Sequence, residues 1–370
     1  MRVQSVRLNN FRNVSSLDLS ELGQANILVG RNAQGKTNVL EAIYAAASGG
    51  SFRTSRDNFL IKKGEDNAQA FVELVTGDGQ EKYIQLFWAI QEGEFSRVTK
   101  INAQEVSKND LIKTFPAVIF SPEDIDLIRL SPAQRRRSMD IVIGRHDAEY
   151  RSDLLEYTKI LRQRNQLLLM VKQNRAGMDE LDVWDEKISE VGTRIIQKRS
   201  EFIKDVSGQV GDYYKMFVTN GEAQGLEIKY SPNLSVLRAQ EYLEQLKRYT
   251  ALDIARVTTT HGIHRDDLMF ILDGDDMRYM ASRGEFRSAI LALKFAEAKY
   301  LKGKMNDDPV YLLDDVFSEL DEDRRKALVD EIQNYQTFIT TNDVSALKLF
   351  AHPKVWQVEK GEVREYAPTV

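Results

Sequence analysis

The sequence predicts an α/β fold in which mixed β-sheets carry a phosphate-binding loop and a helical arm is inserted between the two halves of a nucleotide site. Three observations predict it: a glycine-rich loop between an apolar run and a helix-like stretch near residue 30, a second apolar run that ends in two carboxylates at 314 and 315, and a long polar, helix-periodic tract between them.

The loop runs Gly30-Arg31-Asn32-Ala33-Gln34-Gly35-Lys36-Thr37-Asn38 and reads G-x-x-x-x-G-K-T. Ile27-Leu-Val29 supplies the preceding strand, and Val39-Leu-Glu-Ala-Ile-Tyr44 begins the following helix. A chance glycine-rich turn would not bring that context. Glycines let the backbone turn tightly and aim N–H groups at phosphate oxygens. Lys36 suits the outer phosphates, the Thr37 hydroxyl suits Mg²⁺, and the helix N-terminus adds a positive dipole end.

Up to about Leu130 the chain alternates apolar and polar positions, as in Phe71-Val-Glu-Leu-Val75 and Tyr83-Ile-Gln-Leu-Phe-Trp88. With Gly77-Asp-Gly79 between them, these predict an antiparallel hairpin. Ser131-Pro132 then reads as a helix start. Trp184, Ile188, Val191, Ile195, Phe202 and Val206 recur at helical spacing, Leu154, Leu161 and Leu168 repeat at seven, and Gln173-Asn-Arg-Ala-Gly177 suits a turn. This predicts an antiparallel helical arm over 131–220 whose two apolar stripes face each other, inserted into a discontinuous head formed by 1–130 and 221–370.

Short strands, Leu226-Glu-Ile-Lys-Tyr230 and Leu268-Met-Phe-Ile-Leu272, precede a second anion-binding device. Ser282-Arg-Gly284 runs into a strongly helical stretch from about Glu285, so a hydroxyl, backbone N–H groups and a helix N-terminus come together. One chain does not need two such devices for one triphosphate; the second makes sense if it closes over nucleotide held by another copy. Val310 to Leu313 then predicts a buried parallel strand ending at Asp314 and Asp315. Asp314 is placed to hold Mg²⁺ opposite Thr37, and Asp315, one residue further out, to polarise an attacking water.

Composition narrows the classes. There is no cysteine and there are only four histidines, so neither a disulfide framework nor structural zinc is expected. The N-terminus lacks a long apolar region, and no run approaches the roughly 20 apolar residues that span a bilayer. A soluble cytoplasmic protein with no membrane partner is therefore expected. The net charge of −5 is not that of a constitutively basic DNA coat. DNA contacts would have to come from clusters such as Arg135-Arg136-Arg137, Arg162 with Arg164, Arg194 with Lys198 and Arg199, or Arg53 with Arg56.

The start Val6-Arg-Leu-Asn-Asn-Phe-Arg-Asn13, the phosphate loop, Ser282-Arg-Gly-Glu-Phe-Arg287 and Leu312-Leu-Asp-Asp-Val-Phe-Ser-Glu-Leu-Asp321 together resemble the ATP-binding-cassette (ABC) heads of the SMC class. Within it the chain resembles the RecF family of bacterial recombination mediators, through Gly50-Ser-Phe-Arg-Thr54, Phe120-Ser-Pro-Glu-Asp124, Ser131-Pro-Ala-Gln-Arg-Arg-Arg137 and His264-Arg-Asp-Asp267. Arg283, Glu285 and Phe286 stand where that family commonly has glutamines, which leaves Ser282, Gly284 and Arg287 as the matching signature positions. Thr337-Phe-Ile-Thr-Thr-Asn-Asp343 occupies the switch segment without the histidine of many transporter cassettes.

The resemblance implies a weak, DNA-stimulated ATPase that dimerises on ATP and Mg²⁺, with Ser282, Gly284 and Arg287 of one copy facing the ATP of the other. It implies binding of single-stranded, gapped or junction DNA, help to RecO and RecR in loading RecA, and support of replication restart and the SOS response. The arm, about ninety residues, is far shorter than SMC coiled coils and fits a compact clamp. Two other classes share the cassette: the ATPase subunit of a membrane transporter, and a structural SMC-like chromosome protein.

Overall fold

The protein is described by a computed structural model covering residues 1–129, 131–218 and 225–366. It divides into two compact units, Met1–Asp126 with Asp212–Glu222 and Arg283–Val370, and Leu127–Gly211 with Ala223–Ser282.

The first unit contains two six-stranded sheets. One has the strand order Glu362–Glu365, Lys354–Glu359, Ala25–Val29, Thr337–Thr341, Val310–Asp314, Ala117–Phe120, and is parallel except for the antiparallel edge strand Glu362–Glu365. Its two central carboxyl-terminal strands, Val310–Asp314 and Thr337–Thr341, are buried at every position, which is why they read as continuous apolar or β-branched runs rather than alternating ones. The other sheet is antiparallel, in the order Val14–Leu19, Arg2–Phe11, Asn67–Val75, Glu81–Gln91, Glu94–Ile101, Gln104–Glu105. Here the expected hairpin forms, and Asn67–Val75 buries every second residue as a sheet with one covered face requires.

The helix Lys36–Ser48 is buried along almost its whole length and shares one apolar core with both sheets. Past Asn38 it is apolar on most sides for that reason, the buried exception being Glu41, which pairs with Arg12. Gly49, at φ 68°, ends it by returning its N–H to the Ala45 carbonyl. The helix Arg283–Met305 is similarly buried, and its Phe295 stacks on Phe217 at 5.6 Å and leans on Phe120 at 5.3 Å.

The second unit holds the helices Pro132–His146, Ala148–Lys172, Ala239–Arg248 and Thr250–Arg256, and a small antiparallel sheet in the order Asp275–Asp276, Asp267–Leu272, Leu226–Ser231. The helix Glu180–Met216 begins in this unit and continues past its boundary at Gly211. Ala148–Lys172 and Glu180–Met216 run antiparallel: Arg194 reaches Asp153 at 2.6 Å and Arg164 reaches Asp185 at 2.7 Å. The buried face of the former is not the heptad of leucines. Leu154 and Leu161 are only half-buried, whereas Tyr157, Ile160, Arg164, Leu167 and Leu168 are buried. An arginine on that face hid the true stripe from a count of apolar residues.

The division also departs from the expected boundaries. Ala223–Ser282 belongs with the arm helices, and the first unit resumes only at Arg283. Leu226–Ser231 and Asp267–Leu272 pair with each other and not with the six-stranded sheets. Asp266 and Asp267 are held by Arg199 and Arg135 from the helices, both at 2.7 Å. The expected boundary residues Leu130, Asn220 and Gly221 lie outside the described residues. No described helix is long and apolar enough to cross a membrane.

Candidate nucleotide site

The phosphate loop leaves the strand Ala25–Val29 and enters the helix Lys36–Ser48. Gly35 sits at φ 112° and faces Asn13, whose Oδ1 would be 2.8 Å from an added Cβ. Gly30 is required by crowding, since a Cβ there would be 2.3 Å from the Val358 carbonyl oxygen. Asn13 supports the loop: its Oδ1 accepts from Asn38 Nδ2 at 2.6 Å. The loop and its neighbours border an open pocket of about 440 Å³ lined by Asn13, Asn32 to Asn38, Arg53, Pro122, Asp314, Asp315 and Thr340.

Two segments far apart in sequence meet at its base. Thr37 Oγ1 donates to Asp314 Oδ1 at 2.8 Å, and Thr340 Oγ1 donates to the same oxygen at 2.7 Å. Burial raises the pKa of Asp314, and the two hydroxyl donors oppose that rise. Lys36 Nζ donates to the carbonyls of Gly30 at 2.6 Å and Arg31 at 3.0 Å. Burial lowers the Lys36 pKa, while Asp315 and Asp314 pull it back up. Asp315 adopts the left-handed region at φ 50°, an uncommon conformation for a residue with a side chain. Its N–H is held by Thr340 Oγ1 at 2.9 Å, and its Oδ1 is buried without a hydrogen-bond partner. An unused acceptor atom beside a phosphate loop can take a hydrogen bond from water.

Hard oxygen donors suited to Mg²⁺ are present: the Thr37 hydroxyl and the Asp314 carboxylate. No cluster of three or more acidic or histidine side chains suited to a metal occurs among the described residues. A hydroxyl and a carboxylate joined beside a phosphate loop suit an ion that takes few protein ligands and the rest from phosphate and water, so the residues fit the group.

The chain matches the model of the RecF/RecN/SMC N terminal domain over residues 2–360. It is 38% identical to the DNA replication and repair protein RecF of Acetivibrio thermocellus, covering 93% of this chain and 94% of that protein. The chain belongs to the RecF family. Two solved structures of the recombination mediator protein RecF, one with ATP and one with ATPrS, resemble this RecF-family chain with TM-scores of 0.89 and 0.90. Each is 32% identical to it; the alignment covers 99% of this chain and 97% and 98% of those chains, respectively. The fold is accordingly that of an ABC-type ATPase of the SMC and RecF class.

The other residues singled out in the sequence have distinct placements. The signature helix begins at Arg283 rather than near Glu285, so Gly284 stands in its first turn and Ser282 immediately before it. Gly284 and Arg287 do not line the nucleotide pocket of their own chain. Arg287 instead pairs with Glu319. Arg324 anchors this helix by donating to Ser288 Oγ at 2.9 Å.

The basic clusters divide. Arg135 is 1% exposed and grips Asp267, so it is a core ion pair and not a DNA contact. Arg164 and Arg199 are buried and paired with acids in the same way. Arg136 is half-buried and donates to the Asp266 carbonyl at 2.5 Å; Arg137 is exposed. Arg53, grouped with DNA candidates in the sequence, lines the nucleotide pocket and donates to Asn38 Oδ1 at 3.0 Å. Asn13, Pro122 and Thr340 are pocket residues that spacing did not single out, although Asn13 and Pro122 fall in segments that carried the resemblance and Thr340 in the switch segment.

Proposed function

We propose that this chain is an ATP-dependent DNA-binding protein of recombinational repair that acts as a slow ATPase in the cytoplasm. ATP sits on the Gly30–Asn38 loop, with Lys36 toward its outer phosphates. Thr37 and Asp314 would hold Mg²⁺, which when bound screens the phosphate charge. Asp315 orients the attacking water and accepts its proton. Its carboxylate is one methylene shorter than the glutamate of most cassette ATPases, which favours slow turnover. The terminal phosphate is met by Ser282, Gly284 and Arg287 of a second copy, so ATP joins two chains and hydrolysis parts them.

The dimer clamps single-stranded, gapped or junction DNA, stimulated in its turnover by that DNA, and helps RecO and RecR load RecA in support of replication restart and the SOS response. The single observation that carries the nucleotide reading is the Thr37–Asp314 hydrogen bond, which joins segments 277 residues apart at one pocket. The RecFOR context of the relatives supports the pathway.

Sedimentation with and without ATP, and with and without gapped DNA, tests it. The protein should dimerise with ATP and bind DNA only then. Lys36→Ala should abolish both, because the loop loses its cation for the β/γ-phosphates, whereas Lys36→Arg should keep binding and lose turnover. Normal ATP-dependent dimerisation of Lys36→Ala would defeat the assignment.

A further inference from the structure

The phosphate loop is held from outside by the two-residue turn Lys360-Gly361, between the strands Lys354–Glu359 and Glu362–Glu365. The Gly361 N–H donates to the Gln34 carbonyl at 2.9 Å, and the Lys360 N–H donates to Gln34 Oε1 at 2.6 Å. Two residues before the turn, the Val358 carbonyl abuts Gly30. Both ends of the glycine-rich loop therefore lean on one hairpin more than three hundred residues away in sequence.

The chemical consequence follows from peptide planarity. No peptide bond among the described residues is cis. In a trans peptide the C=O and the next N–H point in opposite directions. With the Gln34 carbonyl drawn to Gly361, the Gly35 N–H is turned away from the hairpin, and Gly35 itself lines the pocket. Backbone N–H groups of such loops are the phosphate donors. We propose that the Lys360-Gly361 turn is a positioning element of the nucleotide site: by holding the Gln34 carbonyl it aims the Gly35 N–H at a nucleotide phosphate. This inference rests on ATP binding at the loop.

The fold supplies a matched control. Lys360 and Gly361 have φ 50° and 82°, and the turn Glu92-Gly93 has φ 52° and 83°. An alanine Cβ would be equally strained at both glycines, but at Gly361 it meets the Asn13 carbonyl oxygen at 2.6 Å, whereas at Gly93 it meets nothing within 4 Å. Gly361→Ala should therefore push the turn off the loop and weaken ATP and ADP together by about tenfold, while Gly93→Ala binds as the parent does.

ATP and ADP binding by calorimetry on the full chain, beside amide spectra of the nucleotide-free protein, provides the test. The Gly35 amide resonance should shift in Gly361→Ala and stay in place in Gly93→Ala. Gln34→Ala, which removes the side-chain acceptor of Lys360 together with the long Nε2 contact to the Asn32 carbonyl, should shift it too, and the double variant should bind ATP no more weakly than the worse single one. Equal ATP affinity of the two glycine variants overturns the inference; if Gly361→Ala does not fold, an unmoved Gly35 resonance in Gln34→Ala overturns it. Lys36→Ala in the same assay separates the layers. If it binds ATP like the parent, the reading of the loop falls and this inference with it. If it fails while Gly361→Ala binds normally, only the hairpin's role falls.

Discussion

Thr37 and Asp314 share a 2.8 Å hydrogen bond at the base of the nucleotide pocket. The next residue, Asp315, leaves one carboxylate oxygen buried and unused. Adjacent carboxylates thus stand in different surroundings, one tied to the loop hydroxyl and one without a partner on that oxygen, and their substitutions should separate.

Asp315→Asn should keep Mg·ATP and trap the ATP dimer, because the geometry survives while the basic oxygen is lost. Asp314→Asn should raise the Mg²⁺ concentration needed for nucleotide binding. Single-turnover hydrolysis and nucleotide affinity across a Mg²⁺ titration measure the two effects. An equal change in metal dependence from both substitutions would count against this division of labour.

Ser282→Arg should block dimerisation on ATP while leaving the ATP affinity of the single chain close to the parent's. The rise of hydrolysis rate faster than linearly with protein concentration should vanish, and ATP-dependent DNA binding should fall with it. Light scattering with ATP, beside nucleotide titration, reads both. A Ser282→Arg protein that dimerises and holds DNA as the parent does would leave the signature helix as only a well-anchored core element.

Arg135 and Arg137 are two residues apart and should behave oppositely. Removing Arg135 takes away the two-pronged contact on Asp267, which keeps only Arg278 at 3.5 Å and the Leu268 N–H, so Arg135→Ala should cost about 2 kcal/mol in urea unfolding. Arg137→Ala should leave stability within about 0.5 kcal/mol. If the exposed Arg137 touches a DNA phosphate, its loss should reduce the slope of log affinity against log salt by about 1. A changed salt slope for Arg135→Ala in a fully folded protein would contradict its assignment to the core.

His264 gives the second unit a pH dependence. Its Nε2 is 2.9 Å from the Thr259 carbonyl oxygen and must donate there, so Nδ1 accepts from the Tyr157 hydroxyl, also at 2.9 Å. Burial, with Arg265 and Arg136 nearby, brings its pKa from 6.5 down to about 4 against the opposing pull of the Thr259 carbonyl and Asp253. The unfolded chain therefore takes up the proton first. This contribution is full above about pH 6.5 and is lost as pH falls from there toward 4. Between pH 7.5 and 5 the parent should lose about 2 kcal/mol more unfolding free energy than His264→Gln. Equal losses in urea titrations of the two proteins would show that His264 is not held neutral.

The nucleotide half of this protein is legible in its residues alone. A phosphate loop is a local device: spacing of glycines, a lysine, a hydroxyl and a flanking strand and helix specify it within a dozen residues. The carboxylate strand was legible for the same reason, because Val310 to Leu313 is apolar at every position and then stops at Asp314. What tertiary structure alone decided was the meaning of charges and of distant supports. A sequence count cannot tell an arginine on a solvated face from one that is 1% exposed against an aspartate, and so Arg135, Arg164 and Arg199 looked like a basic surface. Their partners arrive from segments up to 132 residues away, as Asp267 does for Arg135. Long-range packing likewise put Leu226–Ser231 and Asp267–Leu272 with the arm helices, and brought the Lys360-Gly361 turn to the phosphate loop. Local periodicity encodes which face of an element is buried; only the folded chain chooses what that face is buried against.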